Sequence, residues 1–485
     1  MNWWVLKRKI HSSWLIAIAC GAVFVGVVLA QYVRDAYASS VISLIISLLI
    51  IMIVLWRRYM YLVPVLIVAG ILLGLWRGSL SQVELIKFQP LYGKNISVAG
   101  RVKDDADTGS LGQIVIRLDD LSIENNQLPG VLYITATTES EIKRGDQLQI
   151  SGLLREGFGN FSGIIYRANI DRVAHPQPGD IARQVRDWFA DSVRRVIPDP
   201  ESSLGIGYLV GQRRSLPADL VLALQIAGLT HVVVASGYNL TILVRLARRL
   251  FVKVSKYLSV LSAGVMIFGF IAVTGASPSM VRAGLVSGLS LLAWYYGRKF
   301  HPIVLLLIAI AATVLFNPSY AWGDLGWQLS FAAFAGVMIL APLLQRYLFG
   351  DKKPKLLPQI LLETASALIV TMPIIISAFG QISNVALISN IMVLPLVPLA
   401  MLLTFIAGIG SLLLPSIGWL IALPATYLLK YMVGVTEYLA ALPWAMSKVS
   451  LQWCGVAICY AVIVGICIYL WRVTKFNLRE ANIVE

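Results

Sequence analysis

Two hydrophobic patterns share this chain. Long apolar runs bounded by charges occupy 13–33, 39–56 and 59–76, and nine more follow at about 218–245, 257–275, 279–297, 302–317, 327–345, 357–379, 387–413, 417–443 and 452–471. Such runs are of the length needed to cross a hydrocarbon core about 30 Å thick. Between the two sets, from about 93 to 176, apolar and polar positions alternate in short segments: Asn95–Lys103, Gln113–Asp119, Gly130–Ala136, Asp146–Gly152 and Gly163–Ala174. Period-two alternation broken by Asp, Asn and Gly turns predicts five strands, at the spacing of a small all-β barrel of OB type. A further segment, 181–197, places Ile181, Val185, Trp188, Phe189, Ser192, Val193 and Val196 on one helical face with Arg183, Arg186, Arg194 and Arg195 elsewhere. It predicts an amphipathic helix at the membrane interface, closed by Pro198 and Pro200.

The pattern gives a polytopic α-helical membrane protein of about twelve spans with an inserted OB-like barrel. Its organisation reads as a three-helix membrane segment (1–80), the barrel (93–176), the interfacial helix (181–200), a polytopic domain (204–472) and a tail (473–485). Composition agrees: 58% of the 485 residues are hydrophobic and 13% charged, against roughly 25% charged in soluble proteins. Cys20, Cys454, Cys459 and Cys467 lie inside apolar runs without C-x-x-C spacing, and four scattered histidines offer no metal centre. No phosphate-binding G-x-x-x-x-G-K-[ST] loop occurs, so an ATP-driven pump is not expected. No cofactor and no metal are expected.

The net charge of +15 resembles a nucleic-acid signal until it is divided. The barrel segment holds nine basic and eleven acidic residues, about −2, whereas the rest carries 31 basic against 14 acidic, or +17. The barrel's Tyr133, Phe158, Phe161 and Tyr166 form no obvious stacking series, so a structural or gating barrel stands beside a strand-binding one. Lys7–Lys9 and Arg57-Arg58 on the cytoplasmic side put the barrel outside, and the later clusters, including Arg245 to Lys256 and Arg472 to Arg479, then fall inside with both termini. The first run with Ala36-Tyr37-Ala38 also imitates a cleavable leader, although it is long for one.

Several polar residues interrupt the later spans, where an ionisable group costs about 2.5–3.5 kcal/mol on insertion scales. They are His231, Ser236, Gly237 and Asn239 in one segment, Arg282 after Pro278, Asp324, Gln328 and Ser330 in a third, and Ser383 through Asn390. Ser236-Gly237 reads either as a helix break lining a passage or as a close helix crossing. Arg282 is either a path residue or an anchor reaching the interface. Asp324 and Gln328, at i and i+4, either cap the span or line a pore. Ser236 and His231 lack the G-x-S-x-G setting of a hydrolase, so no catalytic residue is assigned.

The ordered segments Gly228-Leu-Thr-His231 through Asn239, Thr274 through Arg282, Asp324-Leu-Gly-Trp-Gln328-Leu-Ser330 and Ser383 through Asn390 with Pro395 resemble those of the ComEC family, the inner-membrane DNA channel of natural competence. The early helices and OB-like domain resemble it too. The likeness implies a channel, not an enzyme, that moves single-stranded DNA into the cytoplasm. Its implied partners are that strand, an outer-face DNA receptor, a separate nuclease, a cytoplasmic ATP-driven translocase and membrane lipids. Tyr238-Asn239 stands where the family usually has a His after Ser-Gly-Leu. The metallo-β-lactamase-like domain of many members has no counterpart in this sequence. A secondary transporter for a small anionic solute is the rival reading, and it lacks the second, inverted break such transporters use.

Overall fold

The computed structural model describes residues 9–32, 40–108, 113–123, 126–137, 142–212, 216–233, 237–297, 301–352 and 354–478. In chain order the elements are α1 (Ser12–Leu29), α2 (Val41–Arg57), α3 (Val63–Leu85), β1 (Asn95–Val102), β2 (Asp107–Thr108), β3 (Ile114–Ile123), β4 (Asn126–Leu128), β5 (Leu132–Ala136), β6 (Gln147–Glu156) and β7 (Gly163–Ala174). Then come α4 (Ile181–Arg194), α5 (Glu201–Val210), α6 (Ala218–Ile226), α7 (Thr230–Val233), α8 (Gly237–Phe251), α9 (Lys256–Thr274), α10 (Pro278–Tyr295), α11 (Pro302–Phe316), α12 (Tyr320–Gly323), α13 (Leu325–Ala335) and α14 (Ala341–Phe349). The chain closes with α15 (Leu356–Phe379), β8 (Gln381–Ser383), α16 (Ala386–Val393), α17 (Val397–Leu413), α18 (Gly418–Ala440), β9 (Met446–Lys448) and α19 (Trp453–Thr474).

Among the described residues, eight helical stretches are long and apolar enough to cross a membrane, so the chain is a helical membrane protein with an inserted barrel. The remaining apolar runs of the sequence map onto two shorter helices, α2 and α11, onto α10, whose arginine and serines lower its hydropathy, and onto the segment 218–245. That last segment is not one helix. It breaks into α6, α7 and α8, because Gly228 takes a left-handed conformation at φ +72° that ends the first turn of chain.

The chain divides into two compact units, Met1–Ile181 with Val304–Trp327 and Ala182–Ile303 with Gln328–Glu485. In the first, α1 and α3 pack backbone to backbone through glycines. A Cβ on Gly26 would lie 2.2 Å from the Ile71 carbonyl oxygen, and one on Gly74 would lie 2.2 Å from that of Val23. Without a hydrophobic drive between helices in lipid, this close van der Waals fit is what holds such a pair. Arg77 on α3 donates from Nε to the Leu315 carbonyl (2.7 Å) and from Nη2 to that of Phe316 (2.9 Å), placing a cation on the C-terminal end of α11.

The barrel closes as β1–β6–β7–β5–β3–β1, antiparallel except for the parallel pair β5–β7, which is the OB topology. Its alternating inward residues, including Val98, Ile116, Leu118, Leu132, Ile134, Leu148, Ile150 and Ile165, form one core that also takes Phe88. The five predicted strands are present, and short β2 and β4 each add a pairing to β3. The aromatics show more order than their spacing did: Tyr133, Phe158 and Phe161 pack on one another with centroids 5.3–5.4 Å apart. Arg155 lies over Tyr166 at 5.8 Å.

In the second unit, the single apolar stripe expected of 181–197 divides in two. Phe189 stacks on Phe405 (5.9 Å), and Gly408 is close enough that a Cβ there would lie 2.7 Å from the Phe189 ring, so the later half of α4 joins the core. Ile181, Val185 and Trp188 stay exposed, as an interfacial face requires, while Arg186 is buried beside Asp187 at 2.9 Å. α17 and α18 pair around the same core, and β8 pairs with β9 to tie the end of α15 to the segment before α19.

Candidate functional site

The break at Gly228 gathers three of the four polar segments in the second unit. Left-handed Gly228 packs so tightly on α16 that a Cβ there would lie 2.6 Å from the Ala386 Cβ. Ser389, fully buried, donates its hydroxyl to the Ala227 carbonyl at 2.5 Å. Thus the Ser383–Asn390 segment carries the break, across 162 residues of chain. Asn390 itself is fully buried, and neither its Oδ1 nor its Nδ2 has a hydrogen-bond partner. An unsatisfied buried amide costs about 1–3 kcal/mol, so stability does not explain its placement.

Beyond the break, α7 carries His231 on an exposed position, and Ser236 lies outside the described residues. α8 then begins at Gly237. Asn239, fully buried, donates from Nδ2 to the carbonyls of Tyr208 (3.1 Å) and Val232 (3.3 Å), which locks α8 to α5 and α7. That position holds structure rather than presenting a titrating group.

The second segment meets α8 at its first residue. Arg282 on α10 is only 8% exposed, and its Nη2 would lie 3.0 Å from a Cβ on Gly237. Its guanidinium carbon sits 5.7 Å and 5.5 Å from the ring centres of Phe331 and Phe334. Its Nε has no hydrogen-bond partner. One turn earlier, Ser279 shares a hydrogen bond with Ser330 at 3.1 Å, fixing α10 against the third segment. Phe334 was not singled out in the sequence. Two phenylalanines at i and i+3, one turn beyond Gln328 on an otherwise small-residue helix, were the available signal. Gln328 is half-buried in the first turn of α13. A five-residue π-helical turn at Gly336–Leu340 follows, where Gly336 approaches the backbone of Ser366.

Asp324 has a different setting, inside the first unit. It stands in extended conformation ahead of α13, accepts the Trp327 N–H at 2.7 Å, and takes the Asn160 amide at 2.9 Å. Neighbouring Gly323 and Gly159 touch backbone to backbone, so the β6–β7 turn of the barrel is fastened to residues 323–324. Of the two alternatives for Asp324, this geometry is that of the cap.

At the far end of α8 the expected basic cluster packs on aromatic faces. Arg248 lies 5.2 Å from the Trp294 ring centre, and Lys256 lies 5.4 Å from those of Trp294 and Tyr295. Among the described residues no group of three His, Cys, Asp or Glu is placed to hold a metal.

Residues 208–476, more than half of the chain and all of the converging segments, match the family described as competence protein. The chain belongs to the competence protein family. Over 216 residues it is 24% identical to ComE operon protein 3 of Bacillus subtilis (strain 168), a match that takes in 43% of this chain and 27% of that relative. The chain thus matches about a quarter of that relative's length. No solved structure matches it.

Proposed function

We propose that this competence-family protein is the membrane channel through which single-stranded DNA enters the cytoplasm. What carries the reading is Arg282: a buried cation inside a helical unit, beside a broken span, without a carboxylate to neutralise it. A polyanion in transit supplies the missing charge repeatedly and transiently, and conduction needs contacts weak enough to release it. A small-anion transporter would instead enclose a substrate between two matched breaks. The reading puts the protein in the cytoplasmic membrane with both termini inside and the barrel outside. It leaves driving force and strand removal to a cytoplasmic translocase and a separate nuclease, and delivery to an outer-face receptor. Deleting the chain from a transformable cell is expected to leave DNA bound at the surface and abolish its entry. Entry at the normal rate would end the proposal.

The direction of uptake is checked by replacing the four cysteines and placing a single one at exposed Asn126 on β4. A membrane-impermeant thiol reagent should label it in intact cells. Labelling confined to permeabilised cells would reverse the topology.

The barrel is expected to add little DNA affinity, since its net charge is about −2 and phosphate binding scales with the cations that neutralise phosphates. Fluorescence anisotropy on segment 93–176 should show weak binding with a shallow salt slope. Steeply salt-dependent submicromolar binding would show that the Tyr133–Phe158–Phe161 cluster and Arg155 form a local strand-binding face.

A further inference from the structure

We propose that the N-terminus of α8 and the guanidinium of Arg282 together form a seat for one phosphodiester group. The proposal rests on the channel reading for the identity of the phosphate and on geometry for the site. α8 has fifteen residues and no acidic side chain in its first turn. The first N–H groups of a helix have no partner within it and carry the positive end of its dipole. Such an end attracts anions and disfavours cations. Yet here a cation is packed against it: Arg282 Nη2 rests over Gly237, the first residue, at a position where any side chain would press on it.

Two positive features side by side, both withdrawn from water, are an arrangement that stability alone works against. The rings of Phe331 and Phe334 offset part of the cost and hold the guanidinium plane in place. The Nε without a hydrogen-bond partner leaves donor capacity that the protein does not use. A group with one negative charge and two accepting oxygens satisfies the fork of the guanidinium and the helix N–H groups together. A phosphodiester has both, and one cation with a partial charge holds it loosely. A strand threading the bundle then exchanges one phosphate for the next at this point.

The test uses the full chain in maltoside micelles, which contain no phosphate, with a fluorescent twelve-residue oligothymidylate titrated over a salt series. Arg282→Met should weaken binding about tenfold, the loss expected of one charge-assisted contact. It should also make the slope of log affinity against log salt shallower by about 0.7, the value of one phosphate contact on a single strand. Gly237→Ala, which displaces the guanidinium without removing it, should shift the slope the same way. Arg282→Lys should keep the slope and regain only part of the affinity, being a cation without the fork.

Affinity lost with an unchanged slope would make Arg282 a packing residue and overturn the proposal. If Arg282→Met does not accumulate, Gly237→Ala decides on the same criterion. If micelles supplemented with phosphatidylglycerol erase the difference between wild type and variant, the seat belongs to a lipid headgroup and the proposal fails. Wild-type protein with no salt-dependent oligonucleotide binding would instead defeat the channel reading. The seat itself is then judged by whether inorganic phosphate raises the melting temperature of wild type and not of Arg282→Met.

Discussion

Cells carrying Arg282→Ala are expected to keep the protein in their membrane at wild-type amounts while DNA import falls by about a hundredfold or more, since each phosphate-contact step weakens by a factor of ten per 1.4 kcal/mol and the strand takes many steps. The two halves of that expectation have separate causes. The fold loses little, because Arg282 makes no ion pair among the described residues, and removing a buried, unneutralised cation relieves a desolvation cost. The Ser279–Ser330 hydrogen bond one turn away still fixes α10 to α13. The cavity left between Phe331 and Phe334 costs something, but the substituted helix gains a better helix former. Import loses its cation at the only point where α8, α10 and α13 present one to each other's segment ends among the described residues. Immunoblots of membranes beside transformation counts separate the two effects. Lost accumulation would make Arg282 a structural partner, and unchanged import would remove it from the path.

A second substitution should have the opposite profile. Gly74→Leu is expected to remove the protein from the membrane altogether. The Cβ of any replacement would fall 2.2 Å from the Val23 carbonyl oxygen and 2.7 Å from the Val27 amide nitrogen, both backbone atoms that no rotamer change can move aside. α1 and α3 would have to separate along their shared length, undoing the contacts of Gly26, Gly70 and Gly78 as well. Overpacking in a core costs about 1–3 kcal/mol where side chains can yield, and a backbone obstruction sits at or above the upper end. Gly264, with nothing within 4 Å of its Cβ position, serves as the control: Gly264→Leu should accumulate normally. Equal accumulation of the two variants would mean that the α1–α3 pairing does not support the fold.

The contrast between these sites explains what could be seen in the chain beforehand. Barrel strands were legible because one face of each is buried, so apolar residues recur every second position, as in the burial of β1 at Val98, Gly100 and Val102. Apolar length made the spans legible for the same physical reason, but length does not register continuity. Segment 218–245 is apolar throughout, and only the left-handed turn at Gly228, stabilised by Ala386 and Ser389 far along the chain, reveals three helices in place of one. For α4, spacing identified the apolar stripe but not that Phe189 and Val193 would turn inward onto Gly408 while Trp188 stayed out.

Among the polar residues, type and order were legible and partnership was not. Asp324 and Gln328 share a helical face on paper, yet Asp324 precedes the helix and is held by Trp327 and Asn160, the latter 164 residues away. Asn239 was marked as a polar lining residue, and its amide is committed to the carbonyls of Tyr208 and Val232. Arg282 beside Gly237, and Phe334 beside Arg282, follow from how α8, α10 and α13 cross, which no local period encodes.

The most direct test of conduction is passage of a strand through the purified protein. With the full chain reconstituted in vesicles, an inside-positive potential applied, and a single-strand-specific dye trapped inside, externally added oligothymidylate should light the lumen in proportion to time and not saturate like a carrier. A duplex of the same sequence should not enter, and Arg282→Ala vesicles should stay dark. Vesicles that exclude the oligonucleotide yet accumulate a small anion with saturable kinetics would contradict the channel and establish the transporter in its place.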